Sequence, residues 1–224
     1  IDLWGPFDKC RHMIEAAELG ADKFLALLKR HGLQIGAWTC YRDGKNEKVF
    51  NEFAEFIGAC GGGIVVRGTQ YEGTHPDKLE GSIRSFYDRI ADQIELAKKH
   101  NCRLALENHA YAILDSPESF ALFTQHNPAP GQVGFSIAPY HLQRRKADVA
   151  EVIRQHGDKL LFFYAWQLGE GTDQLPGHGP ADFAPWMQAL AEVGFDHWMT
   201  PFMHGELPAA EMAQAVGKSF QYLN

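Results

Sequence analysis

Short apolar runs alternate with helical patterns along the whole chain, and this alternation limits the fold more than any other feature. The strand-like runs are residues 1–5, 33–41, 63–68, 103–109, 133–137, 160–167 and 198–203. Between them, residues 21–31 place Phe24, Leu25, Leu27 and Leu28 on one side, and residues 47–59 repeat Val49, Phe50, Phe53, Phe56 and Ile57 at helical spacing. Pro76 suits the first turn of a long helix reaching about His100. Ser116-Pro117-Glu118-Ser119 has the form of an N-cap followed by proline at the first helical position. Residues 146–156, 180–193 and 208–222 complete the set, and Gly32, Gly157 and Gly194 stand where a left-handed C-cap is useful.

Strands separated by helices pair in parallel through right-handed crossovers. Seven βα units follow one another with no break in composition, so residues 1–224 are expected to form one (β/α)8 barrel domain. The chain opens inside an apolar run, Ile1-Asp2-Leu3-Trp4-Gly5, without a methionine, so the first of the barrel's eight βα units is expected to be absent from it. A doubly wound open sheet is the competing architecture. It fits less well, because no glycine-rich phosphate loop follows an early strand and Gly61-Gly62-Gly63 precedes a strand rather than a helix.

Several runs end in polar side chains. Leu104-Ala105-Leu106 leads into Glu107-Asn108-His109, residues 133–137 into Ala138-Pro139-Tyr140-His141, residues 160–166 into Gln167, and residues 198–203 into His204. At the C-terminal ends of barrel strands such groups face substrate or metal. A carboxylate at Glu107 can bind a divalent ion or take a proton from a carbon next to a carbonyl; the alternative is a pair with a neighbouring arginine or lysine. His109 shares the side of Glu107 if the strand persists, or is a hydrogen-bonded structural imidazole. Trp38 and Tyr41 end the second run, Trp38 as a candidate substrate contact, both otherwise as core or rim aromatics. Arg67 could grip a hydroxyl, carboxylate or phosphate, or pair with Glu72 or Asp77. Tyr140, Trp166, His178 and His204 could stack on or hydrogen-bond a sugar, whereas Met199 and Met203 belong in a core.

A net charge of −7 argues against a nucleic-acid partner. No apolar run is long enough to span a bilayer. Cys10, Cys40, Cys60 and Cys102 have neither CxxC nor zinc spacing and read as single buried thiols in a reducing compartment, so a cytoplasmic location is expected.

Residues 104–109, 134–141, 164–179 and 194–204, with Gly32-Leu33 before the second run, resemble the xylose isomerase-like sugar phosphate isomerase/epimerase family. These are TIM barrels that also include AP-endonuclease-type and inosose-dehydratase-type members. The resemblance implies one divalent metal held by a glutamate, an aspartate, a histidine and a second glutamate. Glu107 matches the first glutamate. His141 matches the histidine, but the aspartate three residues before it is Ala138. Counting back from Pro176-Gly177-His178-Gly179 puts Gln167 at the third ligand position. The last glutamate falls near Phe202, with Glu206 the nearest carboxylate.

The implied ligands are therefore Glu107, Gln167 and His141, a degenerate set for Mn²⁺, Mg²⁺, Zn²⁺ or Co²⁺ that leans towards zinc through its nitrogen donors. If no metal binds, His141 or His109 carries the proton chemistry. The resemblance implies an isomerase or epimerase acting on a small sugar or hydroxy-carbonyl compound, with Glu107, His109 and His141 catalytic. The alternatives are a dehydratase or lyase on a keto-sugar or keto-cyclitol, and a non-catalytic carbohydrate-binding barrel that has lost its metal. Ala138, Phe202 and the negative charge oppose an AP-endonuclease role. The expected partner is a small carbohydrate, with neither nucleic acid nor membrane, and with homo-oligomer formation left open.

Overall fold

The computed structural model describes residues 1–6, 10–41, 46–69 and 78–224. The apolar runs become seven parallel strands: β1 (Asp2–Trp4), β2 (Ala37–Thr39), β3 (Ile64–Gly68), β4 (Arg103–Glu107), β5 (Val133–Ile137), β6 (Leu160–Ala165) and β7 (Trp198–Pro201). Each strand pairs with the next in chain order, always in parallel. Among the described residues no backbone pairing joins β7 to β1. The sheet nevertheless curls on itself, since Thr39 of β2 reaches Tyr164 of β6 and Trp4 of β1 reaches Phe202 just beyond β7. The result is a nearly closed barrel, one strand short of the usual eight.

Helices cover the barrel: α1 (His12–Leu19), α2 (Ala21–Arg30), α3 (Glu47–Ala59), α4 (Leu79–Arg89), α5 (Ala91–Lys99), α6 (Pro117–Gln125), α7 (Pro139–Arg144), α8 (Val149–His156), α9 (Ala184–Glu192) and α10 (Ala209–Leu223). Strand side chains alternate between two layers. Outward residues such as Leu3, Val65, Leu104, Leu106, Phe135 and Phe163 join the helices in the larger core. Inward residues form a second cluster in which small Ala37, Ala105 and Ala138 sit among large Phe162, Tyr164 and Trp166. Small beside large fills the narrow interior, and each large side chain so buried contributes about 1.5–3 kcal/mol of transfer free energy.

The elements differ from the sequence pattern in ways that matter at the strand ends. β4 stops at Glu107, because the Asn108 side chain clamps the backbone of Ala138, donating to its carbonyl at 3.1 Å and accepting from its N–H at 2.7 Å. His109 is therefore beyond the strand, not on it. The expected helix from Pro76 to His100 breaks at Ile90 (φ −104°) into α4 and α5, which lets α5 lie against α3; Pro76 itself is outside the described residues. The short helices α1 and α7 carry no clear sequence period. Ser116 and Ser119 form the capping box that starts α6. Gly32 and Gly194 adopt left-handed φ of 64° and 68°, whereas Gly157 (φ −62°) opens a short 3-10 turn instead. Among the described residues no helix is long and apolar enough to cross a membrane.

Candidate active site

Glu107 ends β4 opposite Gly68 of β3. A Cβ at Gly68 would stand 2.8 Å from the Tyr41 ring, so only glycine lets that ring lie across the strand. The Tyr41 hydroxyl thereby donates to Oε2 of Glu107. Glu107 is 2% exposed. Burial pushes its carboxyl up to about 8; the Tyr41 bond opposes this and the carboxyl of Asp2 adds to it.

Asp2 is the second carboxyl of the barrel interior. It accepts from Trp4 Nε1, from Thr39 Oγ1 at 2.9 Å and from the Tyr164 hydroxyl at 3.1 Å. Thr39 and Tyr164 also bond each other at 2.6 Å. Burial raises Asp2 to about 7 against the pull of these donors. Tyr164 is held well above its ordinary value by burial and by the nearby Asp2 and Glu107 carboxyls. The two carboxyls thus share a water-poor setting that favours their neutral forms. This network was not singled out from the sequence; an aspartate at an inward position of an apolar strand was the signal for it.

Imidazoles gather at the ends of the neighbouring strands. His141 lies in the first turns of α7, directly after β5, and is 3% exposed. Its Nδ1 is buried without a hydrogen-bond partner. Burial, followed by the charges of His109, His204 and Arg144, drives His141 down to about 2. The His109 ring lies 3.7 Å from that of His141, centroid to centroid, and its Nδ1 is 3.1 Å from the Ala110 carbonyl oxygen. Burial also lowers His109 and the more exposed His204. Trp166 stacks on Tyr140 at 4.3 Å, with planes 10° apart, and meets the rings of His141 at 5.2 Å and His204 at 4.9 Å. The Trp166 indole N–H, like Nδ1 of His141, is buried and has no partner among the described residues.

The structure therefore brings together His109, His141, His204, Tyr140 and Trp166, and places Glu107 with Tyr41. Four other sequence candidates lie elsewhere. Trp38 points outward by strand parity; it packs on Phe50 and Phe53 of α3 and donates to the Gly5 carbonyl at 2.7 Å. Arg67 also points outward, over the Phe86 ring and bonded to Gln93, where burial lowers it to about 10. Its alternative partners Glu72 and Asp77 are outside the described residues. His178 turns to the Ala215 carbonyl of α10, 3.0 Å away.

Gln167 is fully engaged in bracing the loop after β6. Its Oε1 accepts from Ala181 N at 2.6 Å and its Nε2 donates to the Leu175 carbonyl at 3.2 Å. A Cβ at Gly179 would meet this amide at 2.7 Å, so the loop is built around it. Met199 and Met203 pack in hydrophobic clusters.

These placements test the family's divalent ion against the residues present. Ala138 offers a methyl group to the interior cluster. Phe202 stacks on Trp4 and meets Trp166 edge-on at 4.8 Å. Gln167 bonds the backbone of Ala181 and Leu175 through its amide, and of the four implied ligand positions only Glu107 keeps a carboxylate. Among the described residues no three His, Cys, Asp or Glu side chains are grouped to hold an ion. The residues do not fit a hard divalent cation.

The family model described as a xylose isomerase-like TIM barrel matches residues 1–223, and the chain belongs to that family. Among solved structures it is similar to 3-keto-D-glucoside 4-epimerase YcjR from E. coli, with a TM-score of 0.76, 17% identity, and coverage of 94% of this chain and 86% of that one. It is similar to the IolI protein with a bound zinc atom, with a TM-score of 0.73, 16% identity, and coverage of 99% and 87%. It is also similar to the probable 3-DHS dehydratase AsbF of Bacillus anthracis, with a TM-score of 0.76, 14% identity, and coverage of 100% and 88%. At such identities the likeness establishes the fold alone. No curated protein matches the chain significantly in sequence.

Proposed function

We propose that the chain is a sugar isomerase or epimerase that moves a proton next to the carbonyl of a small hydroxy-carbonyl compound, using its own acid and base. The observation that carries this is the opposite tuning of two neighbouring strand ends. Glu107 is a carboxyl that keeps its proton near neutral pH, and His141 and His109 are imidazoles that stay free of theirs. Divergent tuning of this kind assigns roles, although structural networks also perturb such groups.

In this reading a neutral imidazole removes the proton from the carbon next to the carbonyl. Glu107 gives its proton to the carbonyl oxygen, and an enediol results. The imidazolium then returns its proton to carbon while Glu107 recovers its own from an enediol hydroxyl as the carbonyl re-forms; delivery to the other carbon isomerises the compound, and delivery to the other face of the first carbon epimerises it. Glu107 is the acid here, not the base that its strand-end position alone implies. The Tyr140–Trp166 stack supplies an apolar face for a sugar ring.

The test is incubation with ketoses and keto-cyclitols in deuterium oxide, followed by proton NMR of the carbon next to the carbonyl. Deuterium uptake that falls by about 100-fold or more in Glu107→Gln supports the reading. Uptake accompanied by loss of water makes the reaction a dehydration. A second reading, a carbohydrate-binding barrel without catalysis, is favoured by the aromatic and methyl groups at Phe202 and Ala138. Saturable sugar binding with no deuterium uptake decides for it.

A further inference from the structure

We propose that the ligand of this site carries an oxyanion, a carboxylate or a phosphate, that docks on Arg144. The inference deepens the sugar-processing reading and rests on it for the location of the site. Arg144 lies one helical turn along α7 from Tyr140 and His141, at spacings of four and three residues. Arg144 stands 5.5 Å over the ring of Tyr111, in the loop that leaves β4 beyond His109. Its charge reaches both His109 and His141. Among the described residues Arg144 pairs with no carboxylate.

Its neighbour makes the contrast. Arg145 lies 5.3 Å over the same ring but is neutralised by Asp115 at 3.0 Å. Asp115 also accepts from the backbone N–H of Tyr111 at 3.2 Å, holding that residue at a left-handed φ of 71°. Tyrosine rarely adopts such a backbone, and strain of this sort persists where the surroundings enforce it. The Tyr111–Asp115–Arg145 unit is thus a built support, and Arg144 is the member left with charge to spare.

One further group wants an acceptor. Trp166 Nε1 can only donate, and it is buried without a partner among the described residues. Its ring lies 5.2 Å from that of His141. An unmet buried donor is costly, and a ligand oxygen removes the cost. Arg144, with no carboxylate partner among the described residues, gives a local positive charge that an oxyanion offsets. Arginine presents a planar fork suited to carboxylate and phosphate alike.

The test is calorimetric titration of the whole chain with D-fructose, D-fructose 6-phosphate, D-gluconate and inorganic phosphate, repeated on R144Q and R144K. The expected result is that at least one anionic sugar binds at least about tenfold more tightly than D-fructose, and that R144Q removes this preference while R144K keeps part of it. The stronger of the phosphate and gluconate arms identifies the group, and inorganic phosphate alone shows whether the oxyanion suffices. Arg144 is exposed, so thermal unfolding of R144Q should match the parent. Equal binding of the neutral sugar, an anion preference that survives in R144Q, or no binding by any anion overturns the proposal. Anion preference without deuterium exchange refutes the catalytic reading and leaves this one standing. Exchange on a neutral ketose that is indifferent to R144Q does the reverse.

Discussion

Phe202 stacks on Trp4 with ring centroids 5.0 Å apart and planes within 9° of parallel. One residue belongs to the first strand and the other follows the last, so the rings join the two barrel edges that no strand pairing joins among the described residues. Phe202→Ala is expected to cost about 2–4 kcal/mol, somewhat below a full core truncation because the ring is only partly buried. Phe202→Leu should cost less than half as much. Urea unfolding checks both, and a negligible cost for Phe202→Leu would mean that stacking contributes nothing beyond apolar burial.

The buried carboxyls set a pH dependence. Glu107 is raised from 4.5 to about 8 on folding and Asp2 from 3.8 to about 7. Raised values favour the protonated folded form, so their stabilisation is complete below the unfolded values and is lost as pH rises through the folded ones. Between pH 5 and 7 each group is mainly ionised in the unfolded chain and mainly protonated in the folded one, and each then lowers stability by about 1.4 kcal/mol per pH unit. Glu107→Gln removes one of the two contributions. Its stability relative to the parent should improve steadily from pH 5 to 8, as read by urea midpoints. A constant difference across that range would refute the burial argument.

His141 works in the other sense. Its value is lowered from 6.5 to about 2, so the folded state resists its protonation and stability is lost as pH falls below 6.5. His141→Asn should flatten the acid side of the parent's stability profile by up to about one proton's slope, about 1.4 kcal/mol per pH unit. Matched denaturation series between pH 4 and 7 decide it.

Trp38 separates stability from function. It is fully buried on the helix side of β2. Trp38→Phe should cost about 1–2 kcal/mol, from lost volume and the lost bond to Gly5, and leave ligand affinity unchanged. A change in affinity at constant stability would put this residue back among the ligand contacts.

Restoring carboxylates should restore a metal. Ala138→Asp combined with Phe202→Glu returns two anionic groups to the interior and should tighten Mn²⁺ binding by about tenfold or more over the parent. Calorimetry with MnCl₂ measures it. Micromolar Mn²⁺ binding by the parent, unaltered by the pair, would mean that other residues form its ligand set.

The barrel was legible because its signal is distributed. Runs such as Leu104-Ala105-Leu106 and their intervening helices report strand order and parallel pairing together. The imidazole cluster was legible in part, as polar residues directly after strands. What the sequence left open was side-chain parity. Trp38 and Thr39 are neighbours in β2, yet one faces α3 and the other Tyr164. A one-residue offset reverses the reading of each, and strand ends short as Ala37–Thr39 give little pattern to fix it. The surroundings of Gln167 were hidden for a different reason: its partners, the backbone of Leu175 and Ala181, are set by a loop whose path has no period.

Gly68 bears no functional group, yet it governs the acidity of one that does. The Tyr41 ring occupies the space that a methyl group at 68 would claim, and its hydroxyl is the donor that, among the described residues, pulls Glu107 back towards ionisation. A single carbon there would displace the phenol and shift the carboxyl still higher. The protonation of Glu107 is thus adjustable from across the sheet, by exchange at a position that itself bears no titratable group.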